Sequence, residues 1–233
     1  MSEDKAGKRL FIGARVSVAT ANTLAGCAET LARRARDAGV DLRWVAPTNY
    51  HVTVAFLGWT RLDAIAALCD AVGAAVAGTP RISFRTTRLG GFPSLDKASV
   101  LWAGVDEQGG AALTRLADAV AAATARLGFR RDFPAYHPHV TIARLREARD
   151  VRDVVLPMAE QMFGDTKIEA VTLFESETKS SGSVYQDVCK LPFQPARPAA
   201  VSAEKRQTAA LEQPDDALTQ TDDGWPRGQG PTD

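Results

Sequence analysis

The chain carries one four-residue pattern twice, as His51-Val52-Thr53-Val54 and as His139-Val140-Thr141-Ile142, 88 residues apart. Each copy lies in a run of β-branched and apolar residues, Tyr50 to Ala55 and Pro138 to Ala143, and each reads as a strand. Side chains alternate across a strand. His51 and Thr53 therefore share one face while Val52, Val54 and Phe56 share the other, and the second copy sets His139 and Thr141 against Val140 and Ile142. Helices alternating with strands would also suit a parallel doubly wound sheet. The duplicated strand argues instead for an α+β fold: two pseudo-symmetric lobes of largely antiparallel sheet, with outer helices, around a central cleft.

Histidine is scarce, with three in the whole chain, and the third, His137, sits two residues before the second copy. A lone strand histidine is ordinarily a hydrogen-bonded structural residue, and His-x-Thr is short enough to arise by chance. Matched surroundings for two of the three histidines, identical at His, Val, Thr and Ala with Val54 against Ile142, outweigh that reading. Imidazole titrates nearest neutrality, so two of them facing one cleft give and take a proton at physiological pH. His51 and His139 are thus a candidate acid–base pair. Thr53 and Thr141 are candidate donors to anionic oxygens, with stiff χ1 preferences that limit their wander.

Composition divides the 233 residues in two. Periodic apolar segments run to position 193, which fits one domain of two lobes over 1–193. From Gln194 the chain turns to Pro, Ala, Gln, Asp and Gly, and 194–233 is expected to be a disordered tail that cannot offset its ordering entropy. The formal charge is zero, so a long basic nucleic-acid groove is not expected and any RNA contact would be local. Cys27, Cys69 and Cys189 are odd in number and widely spaced, and read as reduced thiols of a cytoplasmic protein. The charged start, Met1-Ser2-Glu3-Asp4-Lys5, lacks the apolar stretch of a signal peptide, and no apolar run is long enough to cross a bilayer. A monomer with no membrane association and no obligate protein partner is the expectation.

The pattern predicts a strand over Arg9–Val18, a helix over Thr23–Ala38 and the first motif strand over Tyr50–Leu57. A helix follows from Thr60 to about Ala77, then strands over Arg81–Thr87 and Ser99–Val105 joined by a loop around Leu89–Ser94. A third helix spans about Ala111–Leu127, and the second motif strand His139–Arg144. Beyond it a helix over Val151–Met162, broken or delayed by Pro157, precedes strands over Lys167–Glu175 and Val184–Lys190.

At this point the residues resemble the 2H phosphoesterase superfamily, and within it the bacterial and archaeal RNA 2′,3′-cyclic phosphodiesterases, also called 2′-5′ RNA ligases. The resemblance runs from the first strand to about Phe193. It is densest over Leu42–Gly58 (LRWVAPTNYHVTVAFLG) and Tyr136–Arg144 (YHPHVTIAR). Gly91-Phe92-Pro93, Val100–Val105 and Leu173-Phe174-Glu175-Ser176 carry it further. It implies metal-independent hydrolysis of 2′,3′-cyclic phosphates, on RNA ends or small cyclic nucleotides, to a 2′-phosphate. Run in reverse, it implies 2′-5′ ligation to a 5′-hydroxyl without ATP. No cofactor is implied. His51 would be the proton donor and His139 the proton acceptor, with Thr53, Thr141, Arg144 and Phe92 on the substrate. One departure is His137, where a basic or polar residue is expected before the proline; we read it as a strand-end residue.

Arg144 suits phosphate because a guanidinium matches its oxygens in bidentate fashion. It has the wrong parity to share the His139 face of a regular strand, and a bulge or strand end after Ala143 would be needed. Tyr50, Phe56, Trp59 and Phe92 are candidates for stacking a nucleobase. Parity puts Phe56 on the core side and leaves Phe92, in a Gly-flanked loop, the better choice. Two other readings compete. A nucleotide-binding module of the same fold would keep the cleft with little turnover. A histidine-metal hydrolase would need Asp, Glu or Cys at ligand spacing, which the motifs lack.

Overall fold

A computed structural model describes residues 6–130, 135–179 and 182–193. The expected tail over 194–233 lies outside the described residues. In chain order the elements are β1 (Gly7–Arg15), α1 (Val18–Asp37), β2 (Arg43–Trp44), β3 (His51–Arg61), α2 (Ile65–Val76), β4 (Ile82–Phe92), β5 (Ala98–Val105), α3 (Glu107–Ala125), β6 (His139–Arg149), α4 (Arg152–Val155), β7 (Met162–Ile168), β8 (Ala170–Lys179) and β9 (Gly182–Pro192).

The strands form one antiparallel sheet in the order β7-β4-β5-β6-β3-β1-β8-β9, with β2 beside β6. The motif strands β3 and β6 are its two central members. They meet at a single pair, Val52 with Val140, and β2 pairs with β6 further along, at Ala143 and Arg144. The two expected lobes are therefore halves of one continuous sheet. Each half contains a strand–helix–strand unit whose outer strands pair antiparallel. In β1-α1-β3, Arg15 lies opposite His51; in β5-α3-β6, Gly104 lies opposite His139.

The buried faces explain the closure. Leu10, Ile12, Val52, Val54, Leu101, Val140 and Ile142 form the sheet side of the core, and Leu24, Leu31, Leu68, Val72, Leu113 and Val120 bring helices onto it. Helix α1 also ties the halves together. Ser17 caps it by accepting from the Thr20 amide at 3.2 Å. The Ser17 amide donates to Thr166 Oγ1 at 3.1 Å and its hydroxyl to the Asp165 carbonyl at 2.9 Å, both on β7.

Several elements depart from the pattern-based expectation. Helix α1 starts at Val18 because Ser17 is its cap. The expected loop at Leu89–Ser94 is largely the end of β4. Gly90 lets the Trp102 ring lie across the backbone there, since a Cβ would stand 2.2 Å from the indole. The expected helix over Val151–Met162 shrinks to one turn of α4 and a 3-10 turn at Leu156–Met158, and β7 follows. The reduced-thiol reading is corrected: Cys69 on α2 and Cys189 on β9 are joined by a disulfide, while Cys27 is free and buried. Their separation of 120 residues is no guide, because α2 packs directly against β9. Among the described residues no helix is long and apolar enough to cross a membrane.

Candidate active site

The pair Val52–Val140 sets the geometry of the cleft. One residue to either side, antiparallel register puts His51 across from Thr141 and Thr53 across from His139. Two adjoining cavities reflect this crossing. One, of about 390 Å³, holds His51, and the other, of about 550 Å³, holds His139 and His137. Thr53, Phe56, Thr141 and Arg144 border both. The two motif threonines thus lie where the cavities adjoin, with one motif histidine in each cavity.

Both motif rings are held the same way. His51 Nδ1 lies 2.6 Å from the Asn49 carbonyl, and His139 Nδ1 lies 2.6 Å from the His137 carbonyl, each two residues upstream. A carbonyl only accepts, so Nδ1 carries a proton in both rings and Nε2 is left to exchange one. Thr53 Oγ1 is 3.0 Å from His51 Nε2 and donates to the neutral ring. Gly13, opposite Thr53, makes room for this arrangement: a Cβ there would stand 2.8 Å from the Val52 carbonyl oxygen and 3.3 Å from His51 Cδ2.

Each histidine sits in its own aromatic cluster. Around His51 are Phe11 at 4.8 Å between ring centres, Tyr185 at 5.2 Å edge-on and Phe174 at 6.2 Å. Around His139 are Phe92 at 4.9 Å edge-on, His137 at 6.2 Å and Trp102 at 6.4 Å. Burial in this setting pushes the His51 imidazole down to about 4; the hydrogen bond to Asn49 opposes it, and the positive charge of His139, Arg15 and Arg144 adds to it. Burial also lowers His139, opposed by the His137 carbonyl and assisted by the charge of His137 and Arg144.

A backbone irregularity decides which further residues reach the cleft. Thr53 pairs with Gly13 and Ala55 with Ile12, so Val54 is an extra residue in β3. Thr141 pairs with Trp102 and Ala143 with Leu101, so Ile142 is an extra residue in β6. Both motif strands are bulged at the fourth motif position, and a bulge shifts the alternation by one. Residues five beyond each histidine therefore turn to the cleft: Phe56 from one half, Arg144 from the other. Arg144 borders both cavities through a bulge at Ile142, not after Ala143. Phe56 corrects the parity reading: it is 48% exposed and borders both cavities. The sequence signal lies in the adjacent apolar residues Val54-Ala55 and Ile142-Ala143, which alternation alone does not explain.

Phe92, at the end of β4, lines the His139 cavity. Tyr50 does not reach the cleft; it is 2% exposed, in the core. Trp59 is exposed and borders neither cavity. Sequence reasoning misses Phe11, Phe174, Tyr185 and Trp102 as site residues, because an aromatic on a strand carries no mark of which histidine it will meet. Among the described residues no three His, Cys, Asp or Glu side chains cluster as metal ligands.

A duplicated strand–helix–strand unit that turns two His-x-Thr faces to one cleft defines a 2H phosphoesterase. More narrowly, the chain belongs to the 2′-5′ RNA ligase superfamily, whose family model matches residues 25–179. A protein of Archaeoglobus fulgidus named RNA 2′,3′-cyclic phosphodiesterase is 32% identical over 145 residues, 62% of this chain and 80% of that protein. One of the same name from Aeropyrum pernix is 30% identical over 152 residues, 64% of this chain and 84% of the relative. In fold the chain is similar to E. coli LigT, solved in complex with 3′-AMP, with a TM-score of 0.65 at 22% identity over 81% of this chain and 99% of that one.

Proposed function

We propose that this chain is an RNA 2′,3′-cyclic phosphodiesterase that opens the cyclic phosphate by paired histidine acid–base catalysis. The observation that carries the reading is the matched tautomer: two imidazoles, each fixed through Nδ1, with both Nε2 atoms left to a cleft bordered by two threonines and an arginine. The names of the curated relatives supply the substrate class.

In the proposed reaction a water oxygen attacks phosphorus while His139 Nε2 takes its proton. The bond from phosphorus to the ribose 3′ oxygen breaks, and His51 Nε2 gives that oxygen a proton. The products are a 2′-phosphate and a free 3′-hydroxyl, and solvent returns the proton from His139 to His51. Each transfer contributes roughly 10²–10⁴-fold in rate. Thr53 and Thr141 donate to the non-bridging oxygens, and Arg144 meets the charge that builds on them. Phe56 and Phe92 offer faces to a nucleobase. With a 5′-hydroxyl in place of water, the same groups join two RNA ends: the 5′ oxygen attacks the cyclic phosphate as His139 takes its proton, the bond to the 3′ oxygen breaks with a proton from His51, and a 2′-5′ linkage results. The enzyme acts as a monomer on RNA ends in the cytoplasm; since the disulfide removes the thiol argument, that location rests on the substrate alone.

The low proton affinity of His51 has a consequence. The free enzyme holds it neutral at pH 7, and the anionic phosphate must raise it before it can donate. The alkaline limb of kcat should therefore lie at higher pH than that of kcat/KM. The reading is tested by incubating the protein, in excess chelator, with RNA ending in a 2′,3′-cyclic phosphate and resolving the product isomers. A 2′-phosphate alone is expected. A 3′-phosphate, or turnover that the chelator abolishes, overturns the mechanism, and binding without turnover makes the chain a nucleotide-binding module.

A further inference from the structure

The two cavities differ in chemistry, and the difference exceeds what a single cyclic nucleotide needs. The His139 cavity is the more apolar, with Val54, Ala55, Phe92, Pro93 and Val100 in its wall, as suits a base, and Ser99 and Arg130 also border it. The His51 cavity extends away from the motif threonines toward the β1–β8–β9 edge of the cleft. There it is lined by Arg9 and by the hydroxyls of Ser176, Thr178, Ser183 and Tyr185, and no carboxylate lines it among the described residues.

Strand register brings these groups together. Ser176 pairs with Tyr185 and Thr178 with Ser183 across β8 and β9. Leu10 pairs with Glu175, so Arg9, one residue further, falls beside Ser176. Arg9 alternates with the buried Leu10 and shares the face of Phe11 and Gly13, which is the cleft face. The neighbouring charges are already matched: Lys8 holds Glu175 at 2.5 Å, and Arg15 holds Asp187 at 2.7 Å. Arg9 has no such partner among the described residues, and it stands over a row of hydroxyl donors. An unneutralised guanidinium beside clustered hydroxyls, with no carboxylate, is the donor set of a phosphate site. Four residue steps along β1 lead from Arg9 to Gly13, which pairs with Thr53, a span of about 13 Å along the strand. A cyclic phosphate seated at the motif threonines does not itself extend that far. The next phosphate along an RNA strand falls part of the way along this span, where the long Arg9 side chain, which lines the same cavity as Thr53, meets it.

We propose that Arg9, Ser176 and Thr178 form a second phosphate subsite that holds the internucleotide phosphate upstream of the reacting end. The inference rests on the phosphodiesterase reading and deepens it: the preferred substrate is an oligonucleotide end, with a mononucleoside cyclic phosphate a poor one.

The test compares kcat/KM for a trinucleotide ending in a 2′,3′-cyclic phosphate with that for the matching mononucleoside 2′,3′-cyclic phosphate. Wild type should favour the trinucleotide by about tenfold or more, the preference shrinking as salt rises. Arg9→Ala, and separately Ser176→Ala with Thr178→Val, should bring the ratio toward one, while Arg9→Lys retains part of it. Affinity for a trinucleotide ending in a 2′-phosphate, against the mononucleotide 2′-phosphate, gives the same comparison without turnover. Equal wild-type preference for the two lengths in both assays overturns the subsite, as does an unchanged ratio in Arg9→Ala. Failure of wild type to hydrolyse either substrate overturns the phosphodiesterase reading instead, and the affinity ratio still decides the subsite.

Discussion

The two halves of the cleft use the same backbone device and fill it with different chemistry. Each presents a histidine locked through Nδ1 to a carbonyl two residues upstream, and each bulges at the fourth motif position. The residue so turned inward is Phe56 in one half and Arg144 in the other. The histidine neighbours diverge as well. His51 lies among Phe11, Phe174 and Tyr185, with its Nε2 held by its own motif threonine. His139 lies beside Phe92, Trp102 and a second histidine. A duplicated scaffold makes two proton-transfer groups alike in tautomer. What lies around them is free to differ, and in the proposed mechanism that difference lets one act as acid and the other as base.

The largest test of this comparison is removal of either ring. His51→Ala and His139→Ala should each lower kcat by roughly 10²–10⁴-fold, and the double variant should lose little more than the worse single one, because the groups act as a unit. Independent, multiplying losses would break the pairing. Next comes pH and stability. His51 falls from an ordinary value of 6.5 to about 4 on folding, so the unfolded chain takes up the proton first as pH drops. Wild type should therefore lose up to roughly 3 kcal/mol relative to His51→Gln as pH falls from 6.5 through 4, with no difference in slope above that window. Parallel denaturation curves across that range would contradict the burial of the ring.

The bulge positions sharpen the comparison further. Arg144→Ala should cost on the order of 1.5–3 kcal/mol of transition-state stabilisation, read mainly in kcat. Phe56→Ala should cost about 1–3 kcal/mol, read mainly in KM, as loss of a stacking face does. The reverse split would mean that the two bulges do not serve charge and base separately. Smallest is the threonine pair. Thr53→Val removes a hydrogen bond to His51 as well as one to substrate, so it should shift the pH profile and cost about 1 kcal/mol more than Thr141→Val. Equal effects on rate and pH would make the His51–Thr53 contact incidental.

The chemistry-bearing residues are legible in the sequence because they are repeated. His51, Thr53, His139 and Thr141 stand out by duplication, and alternation along a strand is enough to give them a common face. Alternation misplaces Phe56 because it presumes an unbroken ladder, and Val54 and Ile142 break it. Arg144 needs the same break to be usable. The aromatic clusters assemble from β1, β4, β5, β8 and β9, whose sequences do not mark them as neighbours. The disulfide is likewise a product of packing α2 on β9. Most of strand β7 falls between the helix expected to end at Met162 and the strand expected to start at Lys167, because Gly164 and Asp165 weaken its strand signal.

The central claim is that His51 and His139 serve opposite sides of one phosphorus, and the pH dependence of kcat tests it most directly. Base function requires the neutral ring and acid function the charged one. His139→Ala should abolish the acidic limb and keep the alkaline one, and His51→Ala should do the opposite. Survival of both limbs in either variant, or near-normal turnover in either, would contradict the account.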